Sequence, residues 1–289
     1  MKQDSPTTLE AFAAYLRSQG KEESTVSLYV GEMQGLLDRL LARAGRLDQV
    51  TQDDLLACRD SLRAEGRKPS TINKRMSIAR TFFRWAGEEG LARPDAAAER
   101  LRVDDRAKPP IRWLTEAEER KLLDAAAAAG ADDERSARNE ALLAVMLYAG
   151  LRVEEVSWLR LGSVESCRLH IYDESAITRS VPLDDRALLP LLKWRRHRLE
   201  LRRSRYKESE YLFVTERSGR MQPRAIQFVI ESLSEKAGFA VTCRMLRHTF
   251  CRRLAQQGAS AERIRDWAGH KSLSTTFRYF EDTHDEDAR

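Results

Sequence analysis

Three short segments of the chain carry the residue types needed to break a phosphodiester bond. In YAGLRVEEVSWLRL, Gly150 closes one predicted helix and Arg152 stands at the start of the next. In CRMLRHTFCRRLAQQG, Arg244 and Arg247 fall one turn apart on one helical face. In WAGHKSLSTTFRYF, His270 follows a helix stop at Gly269, and Tyr279 comes nine residues later. Metal-free cleavage of a phosphodiester needs a nucleophile, cations that hold the non-bridging oxygens as charge builds, and an acid for the departing oxygen. Arginine suits the second task, because its planar fork grips two oxygens and keeps its proton. A tyrosine can supply the first.

Taken one at a time, these residues have ordinary readings. Arg152 is a surface arginine, Arg244 and Arg247 are a solvated pair, His270 is a helix-end partner of the macrodipole, and Tyr279 is a half-buried ring. Their joint order singles them out. Trp158 and Trp267, set among apolar residues at helical spacing, read as core.

The elements that must position these groups are mostly helical. Thr7 with Glu10 fits a capping box that opens a helix bearing Leu9, Phe12, Ala13 and Leu16. Further helices are predicted over 24–44, 51–65 and 70–89, with Gly45, Gly66 and Gly90 at their ends. The stretch RVDDRAKPPIR then breaks the pattern, and consecutive prolines favour an extended linker. A boundary near residue 107 divides an N-terminal helical domain (1–106) from a second domain (107–289). Thr115 and Glu118 form another capping box at the start of that second domain. Within it, 168–172 and 178–183 alternate like strands and are joined by a polar Asp-Glu-Ser turn, predicting a hairpin. The segment 211–215 is a further strand or turn. The fold class expected is mainly α with a small β-sheet.

Composition narrows the partners. The chain has 289 residues, enough for two ordinary domains, with 33% charged residues and a net charge of +5. That balance fits a polyanion. Cys58, Cys167, Cys243 and Cys251 lack metal or redox spacing and read as free thiols in a reducing compartment. The longest apolar stretch, 141–149, is too short for a bilayer, and MKQDSPTTLEAF has no signal-peptide character, so a cytoplasmic, nucleoid-associated protein is expected. The run KWRRHRLELRRSRYK (193–207) holds eight Lys or Arg against one Glu, and Lys193, Arg195 and Arg196 are candidate phosphate contacts. Lys68, Asn73, Lys74, Arg75 and Arg80 decorate the last N-terminal helix and are candidate contacts to the same kind of polyanion.

In order and spacing the three segments resemble the motif blocks of the tyrosine recombinases, the phage integrase family, and its Xer-like site-specific members. Those blocks are a first arginine in a G-L-R-x-x-E context, with Glu155 three positions on; an H-x-x-R block followed by H-T-F; and an L-G-H…Y block. STINKRMSIARTFFRWAGEEGLARPDAA resembles the last helix of the family's N-terminal DNA-binding domain, and RWLTEAEERKLLDAA the opening of its catalytic domain. Practically the whole chain is covered. The resemblance implies a SAM-like, core-binding N-terminal domain and an α+β catalytic domain. It implies that Arg152 and Arg247 clamp the scissile phosphate, that His270 hydrogen-bonds to it, and that Tyr279 forms a 3′-phosphotyrosyl link and releases a 5′ hydroxyl. Glu155 itself reads either as a structural helix-surface charge that orients a neighbour or as a group that contacts the arginines from behind. The partner implied is double-stranded DNA, with four protomers on two sites, possibly alongside a second recombinase. No metal, cofactor or ATP is implied. The biological settings open to such a chain include phage, transposon or other mobile genetic element, integron and chromosome-dimer resolution.

Two departures stand out. Arg244 occupies the place of the H-x-x-R histidine. The general-acid lysine of the family's hairpin has no counterpart: the stretch reads IYDESAITRSVPL, Glu174 falls near its place, and no lysine lies between Lys121 and Lys193. Arg179 or Arg168 could stand there geometrically, yet arginine is a poor proton donor. The alternative is therefore a recombinase-like DNA-binding protein that occupies sites, or supports an active partner, without cutting. The short acidic tail FEDTHDEDAR argues that assembly uses surfaces other than a long C-terminal helix.

Overall fold

A computed structural model describes residues 5–93, 101, 103, 111–128, 133–173, 176–201, 207–215 and 218–280. The chain divides into two compact units, Met1–Pro109 and Pro110–Arg289. Most of the expected linker lies outside the described residues.

The first unit packs four α-helices: α1 (Ser5–Ser18), α2 (Glu23–Ala44), α3 (Gln52–Ala64) and α4 (Pro69–Glu88). Thr7 and Glu10, expected as a cap, lie inside α1, which begins three residues earlier than a cap at Thr7 would place it. Thr51 does cap α3, in a box with Asp54 that the sequence reading passed over. The apolar stripe of α4 supplies Ile72, Met76, Ala79, Phe82, Phe83 and Ala86, all buried. Phe12 of α1 meets Phe82 edge-on at 5.1 Å between ring centroids, and Trp85 closes the cluster at 5.3 Å from Phe12.

Three of the five residues expected to contact the polyanion are engaged within this unit. The Asn73 amide both donates to the Val103 carbonyl (2.9 Å) and accepts from its N–H (2.8 Å), pinning the chain beyond α4. Lys74 and Arg75 both pair with Glu32 of α2, each at 2.7 Å. Among the described residues, the side chains of Lys68 and Arg80 make no hydrogen bond or ion pair. The sequence counted charges along α4 and could not see that Glu32 faces it.

The second unit is built around α6 (Glu134–Leu147), buried along nearly its whole second half. Against it pack α5 (Glu116–Ala127), α8 (Asp185–Glu200), α9 (Pro223–Ala237) and α10 (Cys243–Gln256), while α7 (Val153–Ser157) follows α6. Two short helices end the described chain, α11 (Ala261–Ala268) and α12 (Leu273–Phe277). The Thr115–Glu118 box caps α5. The sheet is three-stranded and antiparallel, in the order β1 (Val164–Glu165), β2 (Arg168–Tyr172), β3 (Ile177–Pro182). The sequence reading missed β1, which is only two residues long. Residues 211 and 215 form isolated bridges to Arg160 and Ser218.

Register decides which hairpin residues face inward. Leu169 pairs with Val181 and Ile171 with Arg179, and Leu169, Ile171 and Val181 are fully buried. Directly paired residues share a face, so Arg179 points to the buried side, toward α7 and α11. Glu174 lies outside the described residues. Among the described residues, no helix is long and apolar enough to cross a membrane.

Candidate active site

The turn Gly150-Leu151-Arg152 links α6 to α7. Gly150 has φ 67°, and a Cβ there would sit 2.2 Å from the Phe250 ring of α10, so only glycine fits. Its carbonyl accepts a hydrogen bond from the Arg247 guanidinium at 2.6 Å, which fastens α10 to the turn. Arg152 is the N-cap residue of α7, and its backbone N–H donates to the Glu155 carboxylate at 2.7 Å. A carboxylate three residues into a helix suits both the cap and the dipole.

Glu155 is the hub of the site. It accepts from the Arg152 guanidinium at 2.8 Å and from both terminal nitrogens of Arg179 at 2.6 and 2.9 Å, and Arg247 approaches to 4.0 Å. Burial pushes its carboxyl up, but hydrogen bonding and charge from Arg179, with Arg152 behind it, hold it below the usual range. Three guanidinium groups thus share one carboxylate. The excess is positive, which suits an anionic ligand. Arg247 is 7% exposed. Burial, with the like charge of Arg152, lowers it to about 10, still a cation at neutral pH.

Helix α11 brings in the histidine. Gly269 has φ 66° and ends α11, and the N–H of His270 caps the Arg265 carbonyl at 2.9 Å. The Gly269 carbonyl accepts from Arg152, and the Trp267 carbonyl accepts from Arg179 Nε at 2.8 Å. His270 Nδ1 meets the Thr276 hydroxyl at 2.9 Å, which fixes its ring. Burial first, then Arg247 and Arg152, lowers His270 to about 4, so the ring is neutral at neutral pH.

Tyr279 follows α12 and is 1% exposed. Its ring stacks on His270, with centroids 6.0 Å apart and planes 10° from parallel. Its hydroxyl lies 2.5 Å from His248 Nδ1, and its carbonyl accepts from Arg252 at 2.8 Å. Burial drives the phenol well above its ordinary value, while Arg247 and Arg244 pull it back down. Arg244 is exposed on α10, close enough to act on both His248 and Tyr279.

Arg152, Arg247, His270, Tyr279 and Glu155, spread over more than a hundred residues of sequence, therefore meet around one small volume. The two hairpin arginines offered as stand-ins for lysine go elsewhere. Arg179 is bound to Glu155 and the Trp267 carbonyl, and Arg168 is exposed and donates to the Ser180 carbonyl at 3.3 Å. On α8, Lys193 pairs with Glu140 at 2.8 Å, Arg195 is partly buried and Arg196 is exposed. Arg198 of the same basic run is buried and donates to the Ser209 carbonyl at 2.9 Å, so it serves the fold. Arg202, Arg203 and Arg205 lie outside the described residues, as does the acidic tail.

His248 and Cys251 were missed by sequence reasoning. His248 lies one turn after Arg244, about 40° round the helix from it, so it shares the face that carries Arg244 and Arg247. Its four-residue spacing from Arg244 was the available signal.

Residues 112–286 match the phage integrase family, and residues 9–90 match the phage integrase N-terminal SAM-like domain. The chain belongs to the phage integrase family. Tyrosine recombinase XerA of Pyrococcus furiosus is 27% identical over 284 residues, covering 94% of this chain and 88% of that protein. Tyrosine recombinase XerC of Corynebacterium efficiens is 29% identical over 275 residues, covering 94% and 85%. Among solved structures, a lambda integrase dimer bound to a COC′ core site superposes with a TM-score of 0.73 at 18% identity, covering 97% of this integrase-family chain and 78% of that one. A Tn1549 transposon integrase in complex with a circular intermediate DNA gives 0.73 at 19% identity, covering 94% of each chain. At these identities the structural likenesses speak to the fold.

Proposed function

We propose that this integrase-family protein cuts and rejoins double-stranded DNA at specific sites, with Tyr279 as the nucleophile. The observation that carries the reading is the meeting of Arg152 and Arg247, both fixed by Glu155 and backbone carbonyls, with a tyrosine stacked on His270. Arg247 is buried and Arg152 partly so, and cations shielded from water hold charge on a phosphate better than in solvent. Arg152 and Arg247 bind the non-bridging oxygens, His270 donates a hydrogen bond through Nε2, and Tyr279 Oη attacks phosphorus. The 3′ phosphate becomes linked to tyrosine and the 5′ hydroxyl leaves. The bond energy is kept in the covalent link, so rejoining is the same step reversed. Exchange between two duplexes calls for four protomers, and DNA inside the cell is the natural substrate. Lys68 and Arg80 of α4, and Arg196 of α8, are free to meet phosphates along the duplex. The non-cutting alternative has no observation in its favour among the described residues.

The test uses a duplex selected for binding from a random-sequence pool and nicked near the cut, so that the released fragment diffuses away. A denaturation-resistant protein–DNA adduct that vanishes in Tyr279→Phe is the expected result. Tight binding without any adduct would overturn the reading.

A further inference from the structure

We propose that His248 takes the proton from Tyr279 when the phenol attacks DNA, and returns it when the strand is rejoined; this rests on the reading of Tyr279 as nucleophile. Four polar groups surround the phenol. His248 Nδ1 lies 2.5 Å from Oη, the Cys251 thiol lies beside it, and Arg244 and Arg247 act on it through their charge. The arginines have no lone pair to offer. Burial pushes the Cys251 thiol up to about 11, so at neutral pH it is an uncharged thiol and a weak acceptor. The other imidazole against the ring, His270, stacks on its face and has Nδ1 engaged by Thr276. That leaves His248, with its ring centroid 5.6 Å from that of Tyr279.

The protonation state agrees. His248 faces Arg244 and Arg247 on its own helix, Arg278 and Tyr279 from the segment after α12, and His270 across the site. Burial first, then Arg244, Arg247 and Arg278, lowers it to about 4, so Nδ1 is free to accept. Transfer from phenol to imidazole is uphill before attack begins. It becomes favourable as the Oη–P bond forms and the oxygen loses its basicity, while the incoming phosphate offsets the nearby arginines. In the step, the Oη proton passes to Nδ1, Oη bonds to phosphorus, the P–O5′ bond breaks, and the 5′ oxygen takes a proton from solvent. On rejoining, the 5′ hydroxyl gives its proton to solvent and attacks phosphorus, and Nδ1–H protonates the departing phenolate. Arg244 stands one helical turn before His248, so a cation and an imidazole sit in series on α10, one for the phosphate and one for the nucleophile.

The variant is His248→Asn, whose Oδ1 can occupy the place of Nδ1 and accept the same hydrogen bond without carrying a proton away. The substrate is the selected, nicked duplex with a 5′-bridging sulfur at the cut, so that leaving-group protonation does not mask the step. The expected result is DNA binding at wild-type strength, a melting temperature near wild type, and adduct formation slowed by roughly 10²–10⁴-fold. Rejoining from isolated adduct slows in parallel. A fluorinated tyrosine at 279, with a more acidic phenol, recovers part of the loss in the variant and changes the wild type little. An Asn variant that cleaves at the wild-type rate overturns the proposal, as does a loss that fluorination leaves untouched, which would make His248 a prop. Absence of adduct in the wild type itself would instead bring down the parent reading.

Discussion

Replacing Glu155 by glutamine removes one charge from the place where three guanidinium groups are gathered. The carboxylate accepts from the Arg152 backbone at 2.7 Å, from the Arg152 side chain at 2.8 Å and from Arg179 at 2.6 and 2.9 Å. A glutamine amide offers one oxygen, and its NH₂ group would face an arginine donor. Removing one partner of a buried ion pair costs about 3–5 kcal/mol. Glutamine keeps the shape, and the Arg152 side chain is 39% exposed and screened, so the lower end, about 3 kcal/mol, applies. For a unit of this size that is a fall of roughly 6–12 °C in Tm. Calorimetry of wild type and Glu155→Gln at a series of pH values measures it. The folded carboxyl titrates below its ordinary 4.5, so its stabilisation is complete above that value. It is lost as pH falls through the depressed one. The gap between the two proteins should therefore be full at neutral pH and close in acid. A gap that persists unchanged into strong acid would mean that Glu155 acts by shape, and no gap at neutral pH would refute the hub altogether.

Three further outcomes are expected. Gly150→Ala should lower stability by about 2–4 kcal/mol in a denaturant melt, through left-handed backbone strain and overlap with Phe250, and should weaken adduct formation because Arg247 is tied to the Gly150 carbonyl. Arg80→Ala should reduce the salt dependence of DNA binding by about one unit of log–log slope, whereas Asn73→Ala should destabilise the first unit and leave that slope unchanged. A duplex with sulfur in place of the bridging 5′ oxygen should be cleaved much faster than the natural one, by up to ~10²–10⁴-fold, since a thiolate leaves without a proton and no lysine lies between Lys121 and Lys193 to donate one. Equal rates on both substrates would show that a donor is present.

The helices and the hairpin were legible because apolar periodicity and punctuating glycines report backbone geometry directly. α2 to α4 begin and end within a residue of their expected bounds. Arg152, Arg247, His270 and Tyr279 were legible as a set, since each sits at a helix boundary or on a helix face. What charge counting could not reveal was pairing. Asn73, Lys74, Arg75 and Lys193 look like DNA contacts in one dimension, but Val103, Glu32 and Glu140 claim them. Arg179 was considered as a replacement for a lysine. Its strand register turns it inward instead, where it props Glu155. His248 stands in the H-T-F of the second segment, but the phenol it touches is 31 positions away, so its role was not legible from local spacing.

The knot of contacts at Glu155 joins a turn near residue 150, a strand near 179 and a helix end near 269, with Tyr279 arriving last. None of these pieces is competent by itself, and their contacts are long-range, so they close late in folding. A nascent or partly unfolded copy has Tyr279 but no anion-holding cradle. For a recombinase, this is a built-in safeguard: the blade is assembled only once the whole handle has set.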